Sequence, residues 1–188
     1  MPEVSAIILA AGRGSRIGVP KLKLISDGEF FVNIIVKKLK SSGVDRIFCV
    51  IHPDDYDWSL EHITGVSLVL NPETEKGMLY SVVLGLKKLT DEDGVMIFPV
   101  DHPYVSVDTI KNILSIFSEK PDSAVKPAFG DKTGHPVVVP RKAADKIVYI
   151  SPEKGLSETL REVCGVTETV RVNDRGILKN INKAEDFN

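Results

Sequence analysis

The 188-residue sequence has only two cysteines, no long apolar run and no large surplus of either charge. Cys49 and Cys164 lie far apart in apolar surroundings, which is the setting of buried core thiols rather than a disulfide or a metal pair. The longest apolar run near the start, Val4 to Ala11, is far too short to span a bilayer. No basic leader precedes it and no small-residue cleavage site follows, so the expectation is a cytoplasmic protein with no membrane contact. A formal net charge of -2, with no basic tail, leaves no Lys/Arg surplus for gripping nucleic acid, although a small local basic pocket stays compatible with it. Internal repeats and low-complexity segments are also lacking.

What is present is a regular alternation of short apolar runs and amphipathic stretches. Val4 to Ala10 reads as a strand buried on both faces, because its apolar residues do not alternate with polar ones. Phe31 to Leu39 has helical spacing and stops at Gly43. Strands are expected at Arg46 to Ile51, Val66 to Leu70 and Val95 to Val100. Helices are expected at Gly77 to Leu89 and at Val107 to Phe117, the latter capped by Ser106. This rhythm is that of βαβ units, which build a parallel sheet with right-handed crossovers. After about Pro121 the pattern loosens. Shorter strands are expected at Ser123 to Pro127, Pro136 to Val139 and Val166 to Val172, with helices at Arg141 to Val148 and Gly155 to Val163.

The most informative stretch is the Gly-rich loop after the first strand, Leu9-Ala10-Ala11-Gly12-Arg13-Gly14-Ser15-Arg16-Ile17-Gly18-Val19-Pro20-Lys21. Such a turn presents backbone N–H groups to an anion. A dinucleotide fingerprint fails, because the third glycine comes one residue too late. A phosphate-binding loop of the Gly-Lys-Ser/Thr kind fails too, since Lys21 lies between Pro20 and Leu22. Two readings stay open. The loop wraps a triphosphate with Arg13, Arg16 and Lys21 as well as amides, or these cations are ordinary solvated loop residues.

Leu-Ala-Ala-Gly-x-Gly-x-Arg-Ile-Gly-x-Pro-Lys resembles the signature of the MobA/MocA-like NTP transferases, relatives of the sugar-nucleotide pyrophosphorylases. The resemblance implies a single domain over residues 1–188, a Rossmann-like three-layer α/β/α sandwich with a mostly parallel sheet. The N-terminal half would bind the NTP, and the region after about residue 121 would form the acceptor side. Gly12, Gly14, Arg16 and Lys21 would bind the triphosphate, and Leu9, Ala10 and Ala11 would form the edge facing the nucleobase.

Phe98-Pro99-Val100-Asp101-His102-Pro103 places a carboxylate just beyond a buried strand. In an open parallel sheet that end faces the ligand crevice, and a hard oxygen ligand there suits Mg²⁺. A turn or cap aspartate is the plain alternative. Asp-x-Pro in this setting resembles the family's metal-binding motif, with His102 at the variable position and without assigned chemistry. The C-terminal Asn180-Ile181-Asn182-Lys183-Ala184-Glu185-Asp186 resembles the family's closing segment. By that match Asn182 is the second metal ligand, and Asn180 supports the loop.

Further segments resemble the molybdopterin cytidylyltransferase branch: Asn71-Pro72, the Gly77 to Leu86 stretch with Ser81, and Gly134-His135-Pro136. Ala11 leans towards CTP over GTP. Leu79 and Tyr80 replace two of the branch's three serines, and Glu153 and Ser157 stand where it has aspartate and arginine. The resemblance therefore implies a Mg²⁺-dependent transfer of NMP from an NTP to a phosphorylated small molecule, molybdopterin being favoured. The alternatives are a sugar 1-phosphate or similar acceptor, and a nucleotide-binding domain without catalysis.

Overall fold

Strand β1 (Val4–Leu9) forms at the first unbroken apolar run and lies inside the sheet, hydrogen-bonded on both edges. The chain is seen in a computed structural model that describes residues 2–13, 18–152 and 154–181. Along β1 the side chains feed two separate cores: Ala6 and Ile8 enter one, Ile7 and Leu9 the other. Strand β4 (Ile47–Ile51) divides in the same way, with Cys49 and Ile51 opposite Phe48 and Val50. Strand β6 (Gly94–Pro99) sends Met96 and Phe98 one way, Val95 and Ile97 the other. Burial on both faces explains why these runs lack polar alternation.

Helices α1 (Phe31–Ser41) and α4 (Val107–Glu119) close the first core with Phe31, Ile35, Leu39, Ile113 and Phe117 fully buried. Helices α3 (Met78–Leu86), α5 (Arg141–Ile147) and α6 (Leu156–Val163) close the second. The result is three layers. The main sheet runs in the order β10 (Thr167–Arg171), β7 (Ala124–Phe129), β9 (Val137–Pro140), β6, β1, β4, β5 (Ser67–Leu70), with β8 (Lys132–Thr133) paired to β7. Pairings β1–β4, β1–β6, β4–β5 and β7–β10 are parallel. Strand β9 is antiparallel to both β6 and β7, so the sheet is mostly rather than wholly parallel. The apolar run Val137-Val138-Val139 gives no hint of direction. The short connection from β7 decides it, since a parallel return needs a crossover.

Ser106 caps α4 as expected, its Oγ accepting from the Thr109 N–H at 3.1 Å. Helix α3 ends at Leu86, and the expected continuation to Leu89 is a turn. Two elements carry little sequence signal. The hairpin β2 (Ile25–Ser26) and β3 (Glu29–Phe30) turns at Asp27-Gly28, both at positive φ. Helix α2 (Tyr56–His62) buries only Ser59 and so has no apolar stripe to betray it. Among the described residues, no helix is long and apolar enough to cross a membrane.

After β10 the chain returns across the end of the sheet and is pinned by Asp174. Its Oδ2 accepts from the Ser106 N–H (2.8 Å) and Thr109 Oγ1 (2.7 Å), and its Oδ1 from the Gly176 N–H (2.8 Å). Gly176 lies against the Tyr104 backbone, where a Cβ would stand 2.5 Å from the carbonyl carbon. Partial burial opposes the Asp174 charge, but these hydrogen bonds outweigh it and hold the carboxyl below the usual range.

Gly176→Ala should destabilise the fold by about 1–3 kcal/mol in urea unfolding, because backbone cannot move aside as a side chain can. Gly155→Ala is the control, since a Cβ there meets nothing within 4 Å. For Asp174→Asn, the loss relative to wild type should be full above the ordinary carboxylate pKa. It should shrink as pH falls through the lowered folded pKa, because wild-type Asp174 then protonates too. A stability gap that widens in acid would contradict this.

Candidate active site

The sheet order switches at β1: the chain moves from β1 to β4 and β5 on one side, then returns to β6 on the other. A crevice opens there, beyond the carboxyl ends of β1 and β6, as expected in open α/β sheets. It holds a cavity of about 190 Å³. Leu9, Ala11 and Gly12 line it from β1 and its following loop, and Pro99, Val100 and Asp101 from the end of β6. Lys21 and the segment Thr74, Gly77, Met78 and Ser81 complete the lining.

Pleating places Leu9 and Ala11 on the cavity side and Ala10 on the other. Ala10 is 1% exposed within the α1/α4 core, so its side chain does not join the expected nucleobase edge. Arg13 departs from expectation as well: its guanidinium reaches Asp54 at 2.8 Å and His52, in an exposed ion pair away from the cavity lining. Gly14, Arg16, Glu153 and Asn182 lie outside the described residues.

Lys21 and Asp101 do meet. Lys21 opens a 3-10 turn, Lys21–Lys23, anchored by the buried Leu22. Its Nζ donates to Asp101 Oδ2 at 2.5 Å. The other carboxylate oxygen, Oδ1, accepts from His102 Nδ1 at 2.8 Å. Burial pushes the Asp101 pKa up, but His102 and Lys21 outweigh it and hold the carboxyl at about 2. Asp101 is therefore ionised at neutral pH. Its backbone carbonyl accepts from the N–H of Ile181, the last described residue, so the C-terminal segment reaches this point of the site.

On the facing side, Gly77 precedes α3 at φ 87°, a conformation that side-chain-bearing residues rarely adopt. Gly77, at the N-cap of α3, has no side chain to cap the helix, and Gly77 and Met78 at the start of α3 line the cavity; the first amides of a helix lack intrahelical partners and suit an anion. Asn71 does not line the cavity. It is fully buried, donating Nδ2 to Ser81 Oγ at 2.8 Å and accepting from the Glu73 N–H at 2.9 Å, so it positions Ser81 and the approach to α3. Leu79 is in the core, while Tyr80 donates its hydroxyl to Glu73, which also holds Lys76. The two departures from the serine pattern thus fall outside this cavity.

The residue that sequence reasoning missed is His102. It is buried, orients Asp101, and its ring packs edge-on against His135 with centroids 5.1 Å apart. Only its adjacency to Asp101 hinted at a role. Burial, then the neighbouring His102, lowers the His135 pKa to about 4 despite the opposing pull of Asp101, so His135 is neutral at physiological pH. Among the described residues no cluster of three or more His, Cys, Asp or Glu side chains could hold a metal by itself.

A probable molybdenum cofactor guanylyltransferase of Bacillus mycoides KBAB4 is 28% identical over 194 residues, covering 100% of this chain and 95% of the relative. The purine catabolism protein PucB of Bacillus subtilis 168 is 25% identical over 199 residues, covering 99% and 95%. Rv0371c of Mycobacterium tuberculosis H37Rv superposes with a TM-score of 0.85 at 18% identity, covering 99% of this chain and 95% of its own. A manganese complex of Rv0371c gives 0.76 at 17% identity, covering 91% and 88%. These structures establish the shared fold. The model of the MobA-like NTP transferase domain matches residues 6–169, the stretch that contains both the β1 loop and Asp101, and the chain accordingly belongs to that family of nucleotidyltransferases.

Proposed function

We propose that the chain transfers a nucleoside monophosphate from an NTP to a phosphate oxygen of a small phosphorylated acceptor, molybdopterin being favoured, with release of pyrophosphate. The observation that carries this reading is the Lys21–Asp101 pair at a cavity that Gly77 and Met78, at the start of α3, also line. A cation and helix amides suit a triphosphate. In this reading Gly12, Gly14 and Gly77 supply backbone approach, and Arg16 and Lys21 counter the phosphate charge. Leu9 and Ala11 border the base, while Asn71 holds Ser81 in place. The N-terminal half serves the donor, and the region after about residue 121 the acceptor.

The acceptor's phosphate oxygen, already anionic, attacks the α-phosphorus in line. A new P–O bond forms as the bond to the β-phosphate oxygen breaks, and the electron pair leaves with pyrophosphate. No proton need move. Lys21 and Arg16 stabilise the charge that spreads over the α-phosphate and the leaving group. Rate enhancement then comes from positioning and electrostatics rather than from acid–base chemistry.

The residues also fit a divalent metal, Mg²⁺ in this reading. Asp101 is firmly ionised at the cavity, and Mg²⁺ is usually held by one or two carboxylates plus substrate phosphates rather than by a protein cage. Asp101 and Asn182 would hold it, and it would neutralise charge on the triphosphate oxygens. The base has one observation on each side. Ala11, which lines the cavity, stands where the resemblance implies glycine in guanylyl-transferring relatives and so favours CTP, whereas the guanylyltransferase name of the Bacillus mycoides relative favours GTP. The reaction belongs in the cytoplasm, where NTPs are at hand.

Asp101→Asn and Lys21→Ala should each lower turnover by about 100-fold or more, with circular dichroism unchanged. The measurement is metal-dependent pyrophosphate release across pterin and sugar phosphates, and near-normal release by either variant would overturn the assignment. Competition of unlabelled CTP and GTP against a labelled NTP should reveal one preferred base. Tight NTP binding with no turnover on any acceptor would favour a binding domain instead.

A further inference from the structure

A second cavity, of about 340 Å³, lies beside the first and is not used by the donor chemistry. Lys126 and Ala124 of β7, Val137 of β9 and Leu160 and Arg161 of α6 help to line it. Ala124, Val137 and Leu160 belong to the same core layer as Leu9 and Ala11, so both cavities open on one face of the sheet. His135 connects them. It lines the second cavity, and its ring packs on His102, which holds Asp101.

The electrostatics of this cavity are one-sided. Among the described residues that line it there are two cations, Lys126 and Arg161, and no carboxylate. Neighbouring basic residues have found partners: Lys120 with Glu168 at 3.0 Å, Lys154 with Glu162 at 2.7 Å, and Lys142 with Asp122 at 2.6 Å. Among the described residues, Lys126 and Arg161 have none. Ser157 and Arg161, one helical turn apart on α6, both reach the cavity. Thr133 and Thr167 add hydroxyls. Buried His135 Nδ1 makes no hydrogen bond among the described residues. Paired cations with hydroxyl donors and no competing carboxylate suit an oxyanion, which arginine can grip with two N–H groups.

We propose that this cavity is an anion subsite for a second acidic group of the acceptor, remote from the phosphate that reacts. The proposal rests on the transfer reading above. Strand β7 is separated from β6 by β9, and the register sets Lys126 level with Ile97, four residues short of Asp101, so the two backbone positions lie roughly 16 Å apart at ordinary strand spacing and rise. The reacting phosphate at Asp101 and an anion at Lys126 and Arg161 therefore belong to two ends of one ligand. The acceptor is a two-ended anion, and the second cavity selects it against simpler phosphomonoesters.

The test uses the full chain, with Lys126→Met and Arg161→Leu as variants. Inorganic phosphate titrated into the wild type should shift the amide resonances of Gly134, Ser157 and Arg161 saturably. Either variant should lose that response while keeping its NTP affinity. With an acceptor that supports turnover, each variant should raise acceptor KM about tenfold or more, while KM for the NTP stays within about twofold. No local shift in the wild type would overturn the subsite. A shift with unchanged acceptor KM would reduce it to an adventitious ion only and overturn the acceptor assignment. Absence of pyrophosphate release with every acceptor would overturn the transfer reading instead, and the titration alone would then decide the subsite.

Discussion

Strand β1 is hydrogen-bonded to β4 along one edge and to β6 along the other, in parallel register throughout. Everything functional depends on that double pairing. It forces the chain to leave β1 towards one side and return on the other, and two loops that diverge cannot fill the space between them. The crevice is thus a consequence of topology. The Gly12 loop and Asp101 meet there because each follows a strand of the same adjacent pair. Burial of β1 on both faces, by α1 and α4 on one side and α3, α5 and α6 on the other, holds the register.

The chemistry of the crevice follows from desolvation. A partly buried carboxylate would ordinarily drift towards neutrality, yet Asp101 is flanked by Lys21 and His102 and remains charged. Truncating one partner of such a pair leaves the other charge exposed to the full cost of burial. In the proposed reading, a triphosphate would bring anionic oxygens for Lys21 and a metal for Asp101. His102 extends this polar centre to His135 and so to the lining of the second cavity.

Much of this was legible in the linear sequence. The runs Val4 to Leu9, Ile47 to Ile51 and Val95 to Pro99 announced strands because double-sided burial leaves unbroken apolar stretches. Lys21 and Asp101 stood out because the segments that carry them, each beyond such a strand, resemble the family's motifs. Direction of pairing was not legible for β9, where Val137 to Val139 would look the same in either orientation. Helix α2 was missed because it buries almost nothing, and the β2–β3 hairpin because each strand has only two residues. Leu79 and Tyr80 looked like departures that touched the site; tertiary packing puts one in the core and the other on Glu73.

By itself, the sequence determined the α/β rhythm, the Gly-rich loop and the carboxylate beyond β6, since periodicity and local residue chemistry are properties of neighbours along the chain. Only the tertiary structure decided that Lys21 pairs with Asp101 across 80 positions. It also decided that Ala10 turns away from its two neighbours and that His102 clamps the carboxylate. Lys126 and Arg161 share a cavity without a counter-charge among the described residues for the same reason. Charge pairing depends on distance through space, and distance is set by how the two cores pack around β1.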